Sequence, residues 1–239
     1  MRTQRRAKGD ACMKVISFDN ARTTWLFPLE EFAPASGATP QSILAEIGER
    51  YSFARRPDIT TRDDINQKGL LFGIGRFSTK DRSGMINDFA IYTDGIAAVS
   101  ERTDFADAFL DDVFEWIVEK FNFRKVDTSR RLYNSTVVIE FERSPARLVS
   151  GYEKLVELIN ARTSTIMKKS AAVQFARLGL EMDPKELADG QVAAPKFMLE
   201  RRAGIEYSKE RYFSSATMQT NAHLEVLTEI EKMAAGTVR

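Results

Sequence analysis

The sequence predicts an α+β fold, a mixed or mainly antiparallel sheet with helices packed on one face. Strand-like runs come in pairs, amphipathic helices follow the pairs, and the junction Asp94-Gly95 has the chemistry of a tight hairpin turn. Strictly alternating strand and helix, the mark of a wound parallel sheet, is not the pattern here.

Residues 1–13 read as a flexible basic extension. The opening Met1-Arg2-Thr3-Gln4-Arg5-Arg6-Ala7-Lys8 lacks the apolar run that follows the charges of a signal peptide. Met13 is a candidate functional start, which would leave residues 1–12 dispensable or free to dock as a basic arm. Residues 14–239 read as a single α+β domain, with any subdivision expected near 144–151 or 183–195.

Lys14 to Phe18 forms a short predicted strand, followed by a loop around Trp25, Phe27 and Pro28. Ala33 to Pro40 has connector composition, and Thr39-Pro40 opens a helix that ends near Tyr51, since a capping hydroxyl and a first-turn proline suit a helix start. Its apolar residues are Ile43, Leu44 and Ile47. Gly69 to Phe77 reads as a strand in which Gly73 and Gly75 mark a bulge or a close backbone approach.

Between Phe89 and Val99, apolar runs flank Asp94-Gly95, a pair that tolerates the positive φ of a type I′ turn. The next helix starts at Thr103 or Asp104, either able to cap it. Phe105, Phe109, Val113, Trp116, Ile117 and Phe121 share one side at about 100° per residue. Arg124 to Arg131 is a mostly basic connection to the β-branched strand Ser135–Phe141.

A helix from Pro145 to Lys169 is expected to bury Leu148, Tyr152, Leu155, Val156, Ile159 and Ile166. Ala172 to Leu180 alternates as a strand, and Asp183 to Pro195 reads as a surface loop. Phe197–Arg202 and Gly204–Tyr207 are paired as a hairpin. The last helix runs from Thr220 to about Ala235, with Leu224, Leu227 and Ile230 on one face and Gly236 ending it. No internal repeat or low-complexity tract is visible.

Composition narrows the function classes. At 239 residues, 43% hydrophobic and 29% charged, the chain has a globular balance and length enough for a core. A formal net charge of +1 gives no global pull toward nucleic acid or anionic membrane, so any electrostatic role is regional. Cys12 and His223 are the only residues of their kinds, which rules out an internal disulfide and a Cys-based zinc site within one chain. No run reaches the ~18 apolar residues of a membrane span, and the protein reads as cytoplasmic, without a membrane and without a cofactor.

Few residues have the setting that catalysis needs. Gly73 to Lys80 resembles a phosphate loop only superficially, because its spacing matches no nucleotide fingerprint and it lies inside a strand pattern. His223 could act as a base toward Ser214 or Ser215, but no Gly-x-Ser-x-Gly elbow frames either serine. Two charged sets carry the functional expectation. Asp104, Asp107, Asp111, Glu115 and Glu119 form an acidic face suited to a partner's basic surface; Asp104, Asp107 and Asp111 could also converge on a divalent metal. Arg55-Arg56, Arg130-Arg131 and Arg201-Arg202, with nearby tyrosines, would suit single-stranded nucleic acid if they clustered.

The expected function is therefore a non-catalytic interaction or structural subunit of a cytoplasmic assembly. It would use the acidic face and basic loops for homo-oligomerisation or for binding a protein partner. A nucleic-acid-binding accessory protein is the alternative, and a metal-dependent phosphodiesterase or nuclease the weaker one.

Overall fold

The computed structural model describes residues 13–32, 37–57, 69–126, 130–149, 151–168, 172–186 and 195–236. The extension 1–12 with Cys12, residues 33–36 of the predicted connector, residues 127–129 of the basic connection and residues 187–194 of the predicted loop lie outside the described residues.

The fold is α+β. In chain order the elements are β1 (Lys14–Leu26), α1 (Pro40–Arg50), β2 (Leu70–Ser78), β3 (Ser83–Tyr92), β4 (Gly95–Ser100), α2 (Thr103–Phe121), β5 (Arg131–Glu140), α3 (Tyr152–Met167), β6 (Arg177–Glu181), β7 (Lys196–Arg201), β8 (Arg211–Ala216) and α4 (Thr220–Ala234). The hydrogen-bonded strand order is β2-β3-β4-β1-β5-β8-β7-β6. Strand, helix, three strands, helix therefore occurs twice along the chain, and each time the first strand lies beside the fourth, as β2-β3-β4-β1 and as β6-β7-β8-β5. Residue-level similarity does not reveal this repetition; it exists in the order of elements.

The chain divides into two compact units. The first holds Phe18–Thr136 and Ala216–Thr220; the second holds the chain up to Ser17, Val137–Ser215 and Asn221–Arg239.

In the first unit, β2, β3 and β4 form an antiparallel meander, and β4 pairs antiparallel with β1 from Ala21↔Ser100 to Leu26↔Gly95. Trp25 belongs to this strand, not to a loop, and is 1% exposed. Its alternation with Ala21 and Thr23 on the buried face explains why a run carrying Asp19, Asn20 and Arg22 still forms a strand. The hairpin forms where expected but with a different turn. Tyr92 pairs with Gly95, so Thr93 and Asp94 are its central residues, and neither has the positive φ of a type I′ turn. Gly95 is required for another reason: a Cβ there would lie 1.9 Å from the Trp25 carbonyl oxygen.

α1 is capped by Thr39, whose hydroxyl accepts from the Ser42 N–H at 3.3 Å. α2 differs at its start. Its N-cap residue is Arg102, with no side-chain cap, while the hydroxyls of Thr103 and Thr220 take up each other's backbone N–H at 2.8 and 3.0 Å. Phe105, Phe109, Val113, Ile117 and Phe121 are buried as the periodicity requires. Phe53, Phe72, Phe77, Phe89 and Phe109 pack ring against ring in this core, largely edge-on or tilted as aromatic quadrupoles prefer. The predicted irregularity in β2 is present. Ile74 has φ 57°, β2–β3 pairing skips it, and the side chains of Arg55 and Phe53 lie where Cβ atoms on Gly73 and Gly75 would be.

In the second unit, β6 and β7 pair antiparallel from Arg177↔Glu200 to Glu181↔Lys196. The hairpin partner of β7 is β8, Arg211–Ala216, and not Gly204–Tyr207; Tyr207–Lys209 is a 3-10 turn between them. The Pro145–Lys169 segment divides into a 3-10 turn at Pro145–Leu148 and α3, with Gly151 at φ 76° as the N-cap of α3. α3 contains no buried residue; Leu155, Ile159 and Ile166, expected in the core, are exposed. Tyr152, Val156, Asn160 and Thr163 form its half-buried side. Leu155, Leu158, Ile159 and Ile166 therefore make a second apolar stripe that periodicity alone could not tell from a core face.

Candidate functional site

The acidic row on α2 is largely neutralised within its own unit. Asp107 accepts from Trp25 Nε1 at 3.1 Å and from Arg131 Nη1 at 3.4 Å. Arg131 also reaches Asp111 at 3.6 Å, and its guanidinium stacks 4.2 Å from the Trp25 ring centre. Two of the acids expected to bind a partner and one of the arginines expected to bind nucleic acid thus form one internal cluster. Burial pushes the Asp111 carboxyl up, opposed by Arg131 and reinforced by Asp107 and Glu115. Asp104 pairs with Arg102 at 2.9 Å and Arg82 at 3.7 Å. Glu115 and Glu119 are exposed and have no ion-pair partner among the described residues.

Asp112, beside the row, closes a further cluster. The Tyr51 hydroxyl donates to it at 2.6 Å and Arg50 at 3.0 Å, with Arg50 also lying over the Tyr51 and Trp116 rings. Among the described residues no three His, Cys, Asp or Glu side chains converge as a metal-holding group.

The arginine pairs do not behave as pairs, because adjacent residues point to different surroundings. Arg55 is mostly exposed and 3.5 Å from Asp88, while Arg56 lies along α1, its side chain occupying the space a Cβ on Gly48 would need. The Arg130 carbonyl accepts from the Leu26 N–H at 2.8 Å. In the second unit, Arg201 has a side chain 7% exposed and donates to Glu210 at 3.0 Å, the Tyr212 hydroxyl at 2.8 Å, and the carbonyls of Phe175 and Tyr207. Exposed Arg202 donates its backbone N–H to Arg211. A charge held by this many acceptors is a structural anchor.

His223 and Ser214 do meet, with Nε2 2.9 Å from Oγ, but both are 0% exposed. Ser214 donates its single hydroxyl proton to the Met198 carbonyl at 2.8 Å, so its oxygen must accept from His223 Nε2–H. That nitrogen cannot then act as a base toward Ser214. Burial lowers the His223 pKa from 6.5 to about 4, and the ring is neutral at pH 7. Glu231, also fully buried, accepts the backbone N–H groups of Glu142 and Arg143 at 3.1 and 3.0 Å, closing the chain after β5.

Two hollows offer space for a ligand. One in the first unit, about 220 Å³, is lined only by apolar residues such as Phe32, Ile43, Phe89 and Phe114, so nothing in it could orient a reacting group. One in the second unit, about 880 Å³, is an open cleft whose Arg201 and Glu210 are already paired with each other.

The more distinctive surface is apolar. Among the described residues, more than half of the exposed large apolar side chains fall between Val149 and Leu180 in the second unit, among them Leu155 at 53%, Leu158 at 56%, Ile166 at 82% and Leu180 at 62% exposed. Such concentration marks an interaction surface more often than scattered exposed leucines do. Its sequence signal is that α3 carries apolar residues on two sides. No protein-family model and no curated protein matches the chain. Among the described residues no helix is long and apolar enough to cross a membrane.

Proposed function

We propose that the chain is a non-catalytic interaction subunit of a cytoplasmic protein assembly, with its docking surface on the second unit. The observation that carries this reading is α3, a sixteen-residue helix with none of its residues buried and Leu155, Leu158, Ile159 and Ile166 exposed. Leaving such a stripe in water forgoes about 1.5–3 kcal/mol for each large apolar side chain that a partner could cover. The acidic face contributes less, since Asp104, Asp107 and Asp111 already have cationic neighbours; Glu115 and Glu119 remain available to steer a basic partner. Nucleic-acid binding draws less support, because Arg131 and Arg201 are engaged inside their own units.

The test is light scattering of the full chain, together with affinity capture from the native host at low and high salt. A complex of defined stoichiometry, with another protein or a second copy, is expected, and Leu155→Glu with Ile159→Glu should abolish it while the helical circular-dichroism signal stays. A monomer that retains no stoichiometric protein would overturn the reading. Nucleic acid retained at low salt and lost at high salt would favour the alternative.

A further inference from the structure

We propose that two copies of this chain associate through the free edge of β6, pairing antiparallel about a two-fold axis at Gly179. This deepens the reading of the second unit as a docking surface and names the partner.

β6 ends the strand order, so among the described residues no strand pairs with its outer side. Its hydrogen-bonding phase is fixed by its neighbours. The Ala176 carbonyl accepts from the Arg201 N–H at 2.8 Å and the Met182 N–H donates to the Pro195 carbonyl at 3.0 Å. Even-numbered residues thus turn their backbone groups toward β7, and Arg177, Gly179 and Glu181 turn theirs outward.

The sequence of this edge is complementary to itself. Arg177-Leu178-Gly179-Leu180-Glu181, read antiparallel against a second copy with Gly179 opposite Gly179, sets Arg177 against Glu181 and Leu178 against Leu180. It is also the register in which all three outward-facing residues meet outward-facing residues. Within one chain Arg177 is 3.2 Å from Glu200, and Lys196 is 2.7 Å from Glu181. Pairing therefore extends each ion pair into a row of alternating charge, Glu200, Arg177, then Glu181 and Lys196 of the second copy. On the other face, Leu199 and Leu178 continue into the second copy's Leu180 and Phe197, covering a leucine that is 62% exposed in one chain. A notional Cβ on Gly179 meets no atom within 4 Å, so the crossing point is open.

The opposite end of the strand order shows what a guarded edge looks like. There the backbone of Tyr51, Ala54 and Arg55 bonds to Gly73, Ile74 and Arg76 of β2, and Ile74 has a positive φ. Natural sheets block edge pairing by such cover, or by charges that repel a second copy. The charges of β6 attract one instead.

A five-residue strand is about 17 Å long and by itself buries less than the ~800 Å² per partner of a standard interface. The dimer should therefore be concentration-dependent, and sedimentation equilibrium of the full chain is the experiment. The expected result is a shift from 27.0 kDa toward twice that mass as concentration rises. Arg177→Glu or Glu181→Arg alone should weaken dimerisation roughly tenfold by placing like charges opposite each other. Combining the two should restore it, although the combination worsens both intrachain pairs. Gly179→Pro, which deletes an outward N–H, should give monomer with an unchanged melting temperature; if that variant unfolds, the charge swap decides. A wild-type chain that stays at 27.0 kDa, or a double swap no stronger than the single changes, overturns the proposal. A dimer that ignores the β6 changes but is lost with Leu155→Glu and Ile159→Glu overturns it too, while leaving the wider docking reading standing.

Discussion

α1 and α3 stand at the same point in the repeated element order, yet α1 buries Ile43, Leu44 and Ile47 while α3 buries nothing. The strands after them differ in the same sense. β2, following α1, has its outer edge covered by residues 51–55, whereas among the described residues no strand pairs with the outer edge of β6, which follows α3. One order of elements has thus been given two kinds of surface. In the first unit aromatic rings close a core around Phe109; in the second, buried polar anchors at His223, Glu231 and Arg201 accompany an exposed apolar helix. Topology sets which elements neighbour each other, and side-chain choice sets which of those elements still have something to bind.

The contrast breaks most directly in the cores. Phe109→Ala should destabilise by about 3–5 kcal/mol, the usual cost of removing a buried ring, whereas Leu155→Ala on α3 should stay within about 0.5 kcal/mol. Urea unfolding of both variants checks this at a concentration where the wild type is monomeric. Equal losses would mean that α3 is packed after all. A smaller effect sharpens the second unit's reliance on polar anchors. Glu231→Ala leaves the backbone N–H groups of Glu142 and Arg143 without their acceptor and should destabilise by about 1–3 kcal/mol, read from the same unfolding curves.

An effect of similar size is one of pH. The His223 pKa falls from 6.5 to about 4 on folding, so the unfolded chain binds more protons between those values. Stability from this residue is present above pH 6.5 and is lost as pH falls toward 4. At about pH 5 the loss is roughly 2 kcal/mol. His223→Gln keeps a side-chain N–H donor but cannot take up the proton, and should flatten the profile in this window. Glu231, raised by burial, works in the opposite direction, but it is common to both chains and cancels in the comparison. Parallel pH profiles for the two chains would show that His223 is not held neutral.

Much of the first unit was legible because its signals are local and agree with one another. Thr39-Pro40 caps and starts α1, the α2 stripe has one apolar side, and Gly73 and Gly75 sit where neighbouring side chains approach the backbone. The turn type is not legible because Gly95 has the chemistry of a turn residue, while the constraint on it comes from Trp25, seventy positions away. The exposure of α3 is not legible because periodicity reports that a face is apolar without reporting what covers it. The acidic row was legible as a row; its neutralisation by Arg131 and Arg82 was not, since those partners arrive from distant parts of the chain. The repetition of element order was invisible because corresponding elements share their place in the pattern and not their residues.

His223 has one more consequence, for observation of the molecule in solution. It is the chain's only histidine, and Ser214 fixes its proton on Nε2 inside the second unit. In a nitrogen-15 spectrum this makes a single imidazole N–H resonance, shielded from solvent and assigned without mutagenesis. Its exchange with deuterium times the opening of the second unit alone, so the molecule carries a built-in clock for one of its two halves.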